Sequence, residues 1–190
     1  MNFALKVIVL VAAGIALVML GVGMLLPTRW QVTTTQVIAA PPASVLARLQ
    51  DMASWPQWST FRAELGPNTR LQSEGNAGTV DQKLTWSGAG GQATLAMTRC
   101  DQNGIDYQFT MRSTGESGVT PLGHGSVQVT VHRDGSEVVW RDDHDLESVA
   151  LRWFAWFGAL QEAVRRIQQT SLEGLRQSLA PDPGATAPRK

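Results

Sequence analysis

Residues 148–179 read SVALRWFAWFGALQEAVRRIQQTSLEGLRQSL, and the spacing of their apolar side chains decides how the rest of the chain must fold. Trp153, Phe157, Leu160, Val164, Ile167, Leu172, Leu175 and Leu179 recur largely at three- and four-residue steps, while Gln161, Glu162, Arg165, Arg166, Gln168, Glu173 and Arg176 fill the other face. That periodicity predicts one long amphipathic helix. Its opening turns carry Trp153, Phe154, Trp156 and Phe157, more aromatic surface than a core stripe needs, so a large concave surface is expected to receive them. Trp153 and Phe157 would then close a cavity from the helix side. Everything between Trp30 and Leu146 reads as short strands. A terminal helix after a run of strands argues for an α+β domain whose antiparallel sheet curls around that helix.

The chain has 190 residues, enough for one domain with an appendage, and equal numbers of basic and acidic residues, 16 each. A balanced charge lacks the electrostatic footprint of a nucleic-acid binder and excludes DNA and RNA as main partners. Cys100 is the single cysteine, which rules out an internal disulfide and leaves the redox compartment open.

An uncharged run opens at Val7 and closes at Leu26. At ~1.5 Å of rise per residue it is long enough to cross a hydrocarbon core. It exceeds a usual signal-peptide h-region, and no A-x-A-like cleavage site follows it, so a retained transmembrane anchor is expected rather than a cleaved signal. Lys6 and the amino terminus before the run favour a cytoplasmic N-terminus, with the domain outside the cytoplasm of a single-pass inner-membrane protein. The expected division is an anchor over 1–29, a domain over 30–180 and a disordered Pro/Ala/Gly tail over 181–190.

Seven strands are expected, at 30–39, 69–74, 80–87, 92–101, 104–113, 123–133 and 136–146. Pro41-Pro42 ends the first where a helix can begin, with Val45, Leu46 and Leu49 on its apolar side. Pro56 disfavours helix at Trp55 and delivers Trp55 and Trp58 together as core plugs. Asp134-Gly135 as a two-residue turn sets Val129 against Trp140, Val127 against Asp142 and Gly125 against His144. Gly90-Gly91 as a turn sets Trp86 against Leu95 and Leu84 against Met97. A three-residue turn at Gln102-Asn103-Gly104 aligns Met97 with Phe109 and Arg99 with Tyr107. The concave face so derived carries Leu84, Trp86, Met97, Phe109, Val129 and Trp140 in its middle. Arg99, Tyr107, Asp142 and His144 fall toward its polar ends. Ser113 to Gly123 is expected to form a longer, mobile Gly/Ser/Thr connection.

Pro41-Pro42 with Val45 and Leu49, Asp51 before Trp55-Pro56-Gln57-Trp58, Leu84-Thr85-Trp86-Ser87-Gly88, Val138-Val139-Trp140 and Arg152-Trp153-Phe154 together resemble the START-like, or SRPBCC, superfamily. It includes birch-pollen-allergen-like and polyketide cyclase/dehydrase-like proteins. The resemblance implies a helix-grip fold: a seven-stranded antiparallel sheet around a C-terminal helix, two short helices after the first strand, and a cavity for an apolar ligand. Asp142, Asp143, His144 and Asp145 depart from the usual apolar final strand.

None of these motifs is catalytic. Ser87-Gly88-Ala89-Gly90-Gly91 lacks the Lys-Ser or Lys-Thr of a phosphate loop and reads as a hairpin turn. His124 and His132 would lie about 26 Å apart on an extended strand, and Cys100 has no partner at ligand spacing, so no metal and no cofactor are expected. A Ser126-His144-Asp142 triad fails because Ser126 faces outward. Asp142 and His144, two apart on the inner face, are the candidates for acid/base or ligand work. The expected function is binding of a small hydrophobic or amphipathic ligand, lipid or polyketide-like, by a membrane-anchored domain. The competing readings are a cyclase or dehydratase using Asp142 and His144, and an interaction module filled by its own side chains.

Overall fold

The structure is a computed structural model describing residues 3–60, 68–89, 91–113, 120–146 and 148–180. The expected tail over 181–190 and most of the expected mobile connection lie outside the described residues. Helix α1 (Phe3–Leu25) is apolar beyond Lys6, with a mean hydropathy of 2.7 in its most apolar 18-residue window, of which only 6% is buried by protein. It is long and apolar enough to be a single-pass membrane anchor or a signal sequence.

Strand β1 (Arg29–Ile38) follows, then α2 (Pro42–Leu49), a 3-10 turn at Met52–Ser54 and the single turn α3 (Trp55–Trp58). Strands β2 (Arg70–Glu74), β3 (Lys83–Gly88), β4 (Gly91–Asp101), β5 (Gly104–Ser113), β6 (Thr120–His132) and β7 (Gly135–Asp145) complete one antiparallel sheet in the order β1-β7-β6-β5-β4-β3-β2. Pro42 starts α2 where its missing N–H costs nothing. Trp55 is helical before Pro56, against expectation, because Pro56 sits in the first turn of α3, where a proline ring meets no preceding turn.

The helix expected over 148–179 is two helices, α4 (Val149–Trp156) and α5 (Ala159–Ser178). Gly158 separates them in the left-handed region at φ 79°, ending α4 through its N–H to the Ala155 carbonyl and opening α5 by accepting from Glu162 N–H. Only α5 lies in the grip. It packs on β1 and α3, where Thr34 and Gln36 of β1 bond Gln168 and Glu173. Helix α4 turns away to lie along α1.

Two hairpin registers differ from expectation by two residues. Gly135 pairs with His132, so Val127 opposes Trp140 and Gly125 opposes Asp142; Gly88 pairs with Gly91, so Leu84 opposes Leu95 and Trp86 opposes Ala93. A shift of two leaves every side chain on its expected face. At the third hairpin the turn is two residues long, with Asp101 opposite Gly104, and a bulge at Thr98 restores the parity that a third turn residue would have supplied. Met97 therefore meets Tyr107 as a same-face partner. Arg99, on the turn side of the bulge, is carried to the outer face, where it donates to Asp106 at 2.7 and 2.9 Å and to Asp101.

Candidate functional site

Indoles and aliphatic side chains fill the α2/α3 end of the grip. Trp55, Leu49, Val45 and Trp140 are fully buried, and Trp55 meets Tyr107 edge-on at 5.8 Å and Trp140 at 6.1 Å. Leu84, Trp86, Met97 and Val129, expected on the ligand-binding face, are buried in this core. Trp58 also packs against Trp140, with centroids 6.5 Å apart. Both indoles of Trp55-Pro56-Gln57-Trp58 are thus core plugs.

Toward the other end a chain of polar groups crosses from sheet to helix. Trp140 Nε1 donates to the Tyr107 hydroxyl at 2.7 Å, which donates to Asp142 Oδ1 at 2.5 Å. Gln168 Nε2 donates to Asp142 Oδ2 at 2.8 Å, and Thr34 Oγ1 donates to Gln168 Oε1 at 2.6 Å. Every member is satisfied in sequence, the condition under which a buried polar network is stabilising. Gly125, cross-strand from Asp142, makes it possible: a Cβ there would lie 2.2 Å from Tyr107 Cζ and 2.3 Å from Asp142 Oδ1.

Solvent can reach Asp142 through the adjoining cavity, yet protein atoms surround its carboxylate. Burial is the largest influence and raises its pKa above the ordinary 3.8, while bonds from Tyr107 and Gln168 and the nearby His144 imidazole pull it back. Burial and then the Asp142 charge push the Tyr107 hydroxyl well above its ordinary value, keeping it a neutral donor.

Past this network is a cavity of about 110 Å³ lined by Leu95, Tyr107, Phe109, Gly123, His124, Asp142, His144, Val164 and Ile167, nearly all of its wall apolar. Tyr107, Phe109, Asp142 and His144 thus line one cavity, but Asp142 and His144 differ in role. Asp142 is tied into the network, whereas His144 stacks on Trp30 of β1, ring centroids 4.3 Å apart and 11° from parallel. Trp153 and Phe157 do not close the cavity: Phe157 is 73% exposed, and Trp153 stacks on it and bonds the Met19 carbonyl of α1. The break at Gly158 moves both onto α4. Val164 and Ile167 of α5 supply the helix wall instead. Gln168, placed by its polarity on the solvent face, is fully buried. Its position four residues from both Val164 and Leu172 is the signal that sets it on the inner stripe. Among the described residues no three His, Cys, Asp or Glu side chains converge as a metal would need.

Three comparisons bear on what this arrangement is. The chain matches the model of the family "Polyketide cyclase / dehydrase and lipid transport" over residues 29–180. No curated protein matches it. Among solved structures it is similar to protein CV1439 from Chromobacterium violaceum, 14% identical, TM-score 0.53, covering 80% of this chain and 99% of that one. It is also similar to protein MLL2253 from Mesorhizobium loti, 11% identical, TM-score 0.54, covering 78% and 95%. Ara h 8.0201 is similar at 13% identity, TM-score 0.51, covering 80% and 97%. At these identities the likeness is one of fold. With most of the chain inside the family model and a sheet gripping a C-terminal helix, the chain belongs to the polyketide cyclase / dehydrase and lipid transport family of the SRPBCC superfamily.

Proposed function

We propose that residues 30–180 bind a small amphipathic ligand, lipid or polyketide-like, in the cavity between β4–β7 and α5, and that residues 1–29 anchor the domain in the inner membrane with its N-terminus in the cytoplasm. The observation that carries the reading is an apolar cavity ending on a partly desolvated carboxylate. Leu95, Phe109, Val164 and Ile167 suit an apolar body, and Asp142 with Tyr107 suits a polar head. A dry apolar cavity of about 150 Å³ holds benzene. A space of about 110 Å³ therefore takes a slightly smaller apolar group, the rest of the ligand lying across the mouth. That mouth is at the Trp30–His144 end of the sheet, the end from which α1 departs, which suits a ligand drawn from the bilayer. Both Asp142 oxygens already accept bonds from Tyr107 and Gln168, an arrangement that favours holding a head group over shuttling a proton.

Full-length protein purified from its own membrane, examined by native mass spectrometry, should carry a bound small molecule. Ile167→Trp, which fills the cavity from α5, should abolish it. Equal occupancy in both proteins would contradict the cavity as the binding site. Protease treatment of spheroplasts tests the topology: digestion of the domain only after the inner membrane is broken would reverse the orientation.

A further inference from the structure

Helix α4 is short and almost uncharged, VALRWFAW, with Arg152 as its single ionisable residue. It lies along the last turns of α1 rather than on the sheet. Gly23 allows the approach: a Cβ there would fall 2.4 Å from Val149 Cγ1 and 2.7 Å from Trp153 Nε1. Trp153 Nε1 donates to the Met19 carbonyl at 3.1 Å, and Arg152 reaches the Met24 carbonyl at 3.4 Å. Met19 is six residues before the end of α1, so α4 descends about 9 Å along it.

The opposite side of α4 is exposed among the described residues. Leu151 and Phe154 are 43% and 58% exposed, and Phe157 at the end of the helix is 73% exposed, whereas Trp156 lies on the α1 side and lines a cleft with Arg29, Trp30 and Arg152. Three large apolar side chains so exposed on a short segment make a surface that water does not favour. The patch is continuous with the bare apolar surface of α1, and its aromatic composition is that of a membrane-interface belt. Its depth matches the ~5–10 Å to which interfacial helices bury their apolar face. Arg152, aimed at the C-terminal carbonyls of α1, would have its charge at the level of the head groups. At that level a cleft of about 190 Å³ between Arg29, Trp30, Arg152 and Gln161 holds the Trp30 Nε1 donor and the Gln161 Oε1 acceptor, both buried without a hydrogen-bond partner.

We infer that α4 is a second membrane element. It lies in the lipid interface beside the end of α1, with Phe154 and Phe157 among the acyl chains, and it fixes the domain with the Trp30–His144 end of the grip against the bilayer. The inference rests on α1 being a membrane span, and the test separates the two.

In full-length protein with Cys100→Ser, single cysteines introduced by Phe157→Cys, Val131→Cys and Leu20→Cys carry a nitrobenzoxadiazole label in phosphatidylcholine/phosphatidylglycerol vesicles. Val131 is 83% exposed on the domain and reports water; Leu20 is in α1 and reports lipid. The label at 157 should be quenched several-fold less than that at 131 by aqueous iodide, and several-fold more by nitroxide-bearing lipid. A label at 157 as open to iodide as that at 131, with the label at 20 shielded, overturns the role of α4 and leaves α1 standing. Shielding from iodide without quenching by nitroxide lipid means that protein covers the patch, and also overturns it. If iodide reaches the label at 20 as well, the membrane reading of α1 fails and that of α4 with it.

Discussion

The two ends of the grip are built from different chemistry. At the α2/α3 end Trp55, Trp58, Trp140 and Leu49 occupy the space between sheet and helix with ring and aliphatic carbon. At the Trp30–His144 end the same sheet and helix are spaced by a hydrogen-bonded carboxylate, and a cavity of about 110 Å³ remains. The first end holds the fold together by dispersion and desolvation, and the second gives up some of that packing for a site. Polar groups divide the two: Trp140 belongs to the core through its ring and to the network through its indole N–H.

The contrast predicts where mutations hurt. Trp55→Ala should cost about 3–5 kcal/mol, as removal of a buried aromatic does, seen as a lower urea midpoint at unchanged slope. Ile167→Ala, across the cavity, should cost clearly less, and equal losses would erase the distinction. Next in size is Gly125→Ala, whose methyl would strike Tyr107 and Asp142 together; overpacking of this kind costs about 1–3 kcal/mol. Combining it with Tyr107→Phe, which removes the hydroxyl together with its bonds to Asp142 and from Trp140, should be less than additive, because both changes act on one contact.

Asp142→Asn should cost about 1–2 kcal/mol, since an amide cannot accept from both Tyr107 and Gln168. Its pH dependence sharpens the point. The folded carboxyl has a raised pKa, so the folded state binds the proton more tightly than the unfolded state does. Stability from this group is fully present below the ordinary value of 3.8 and is lost as pH rises through the folded value. The stability of the wild type relative to Asp142→Asn should therefore fall as pH rises above about 4, then level off. A difference that grew with pH would mean that the charged form is favoured at this site.

Which residues face inward was largely legible in the sequence, because side chains alternate and the errors at two of the three hairpins were even: the turn at Arg133-Asp134 leaves Gly135 as the first residue of β7, two residues of register from the expected pairing. Arg99 was misplaced because a bulge at Thr98 changes parity inside a strand, and nothing in Thr98-Arg99-Cys100 marks it. Gly158 did carry a signal. A glycine after Trp156-Phe157 is a common helix stop, but the apolar periodicity on both sides hid it. The network was half legible: Asp142 and Tyr107 were placed by strand alternation, whereas Thr34 and Gln168 depend on how α5 sits over β1, which periodicity leaves open.

The most direct test of the open end as the ligand site is methyl NMR of the full-length protein in lipid nanodiscs, titrated with hexanoic acid as a short amphiphile. The methyl groups of Leu95, Val164 and Ile167 should shift in a saturable way while those of Val45 and Leu49 at the filled end stay fixed, and Ile167→Trp should remove the response. Saturable shifts at Val45 and Leu49, or none at Leu95, Val164 and Ile167, would contradict a ligand site at the carboxylate end of the grip.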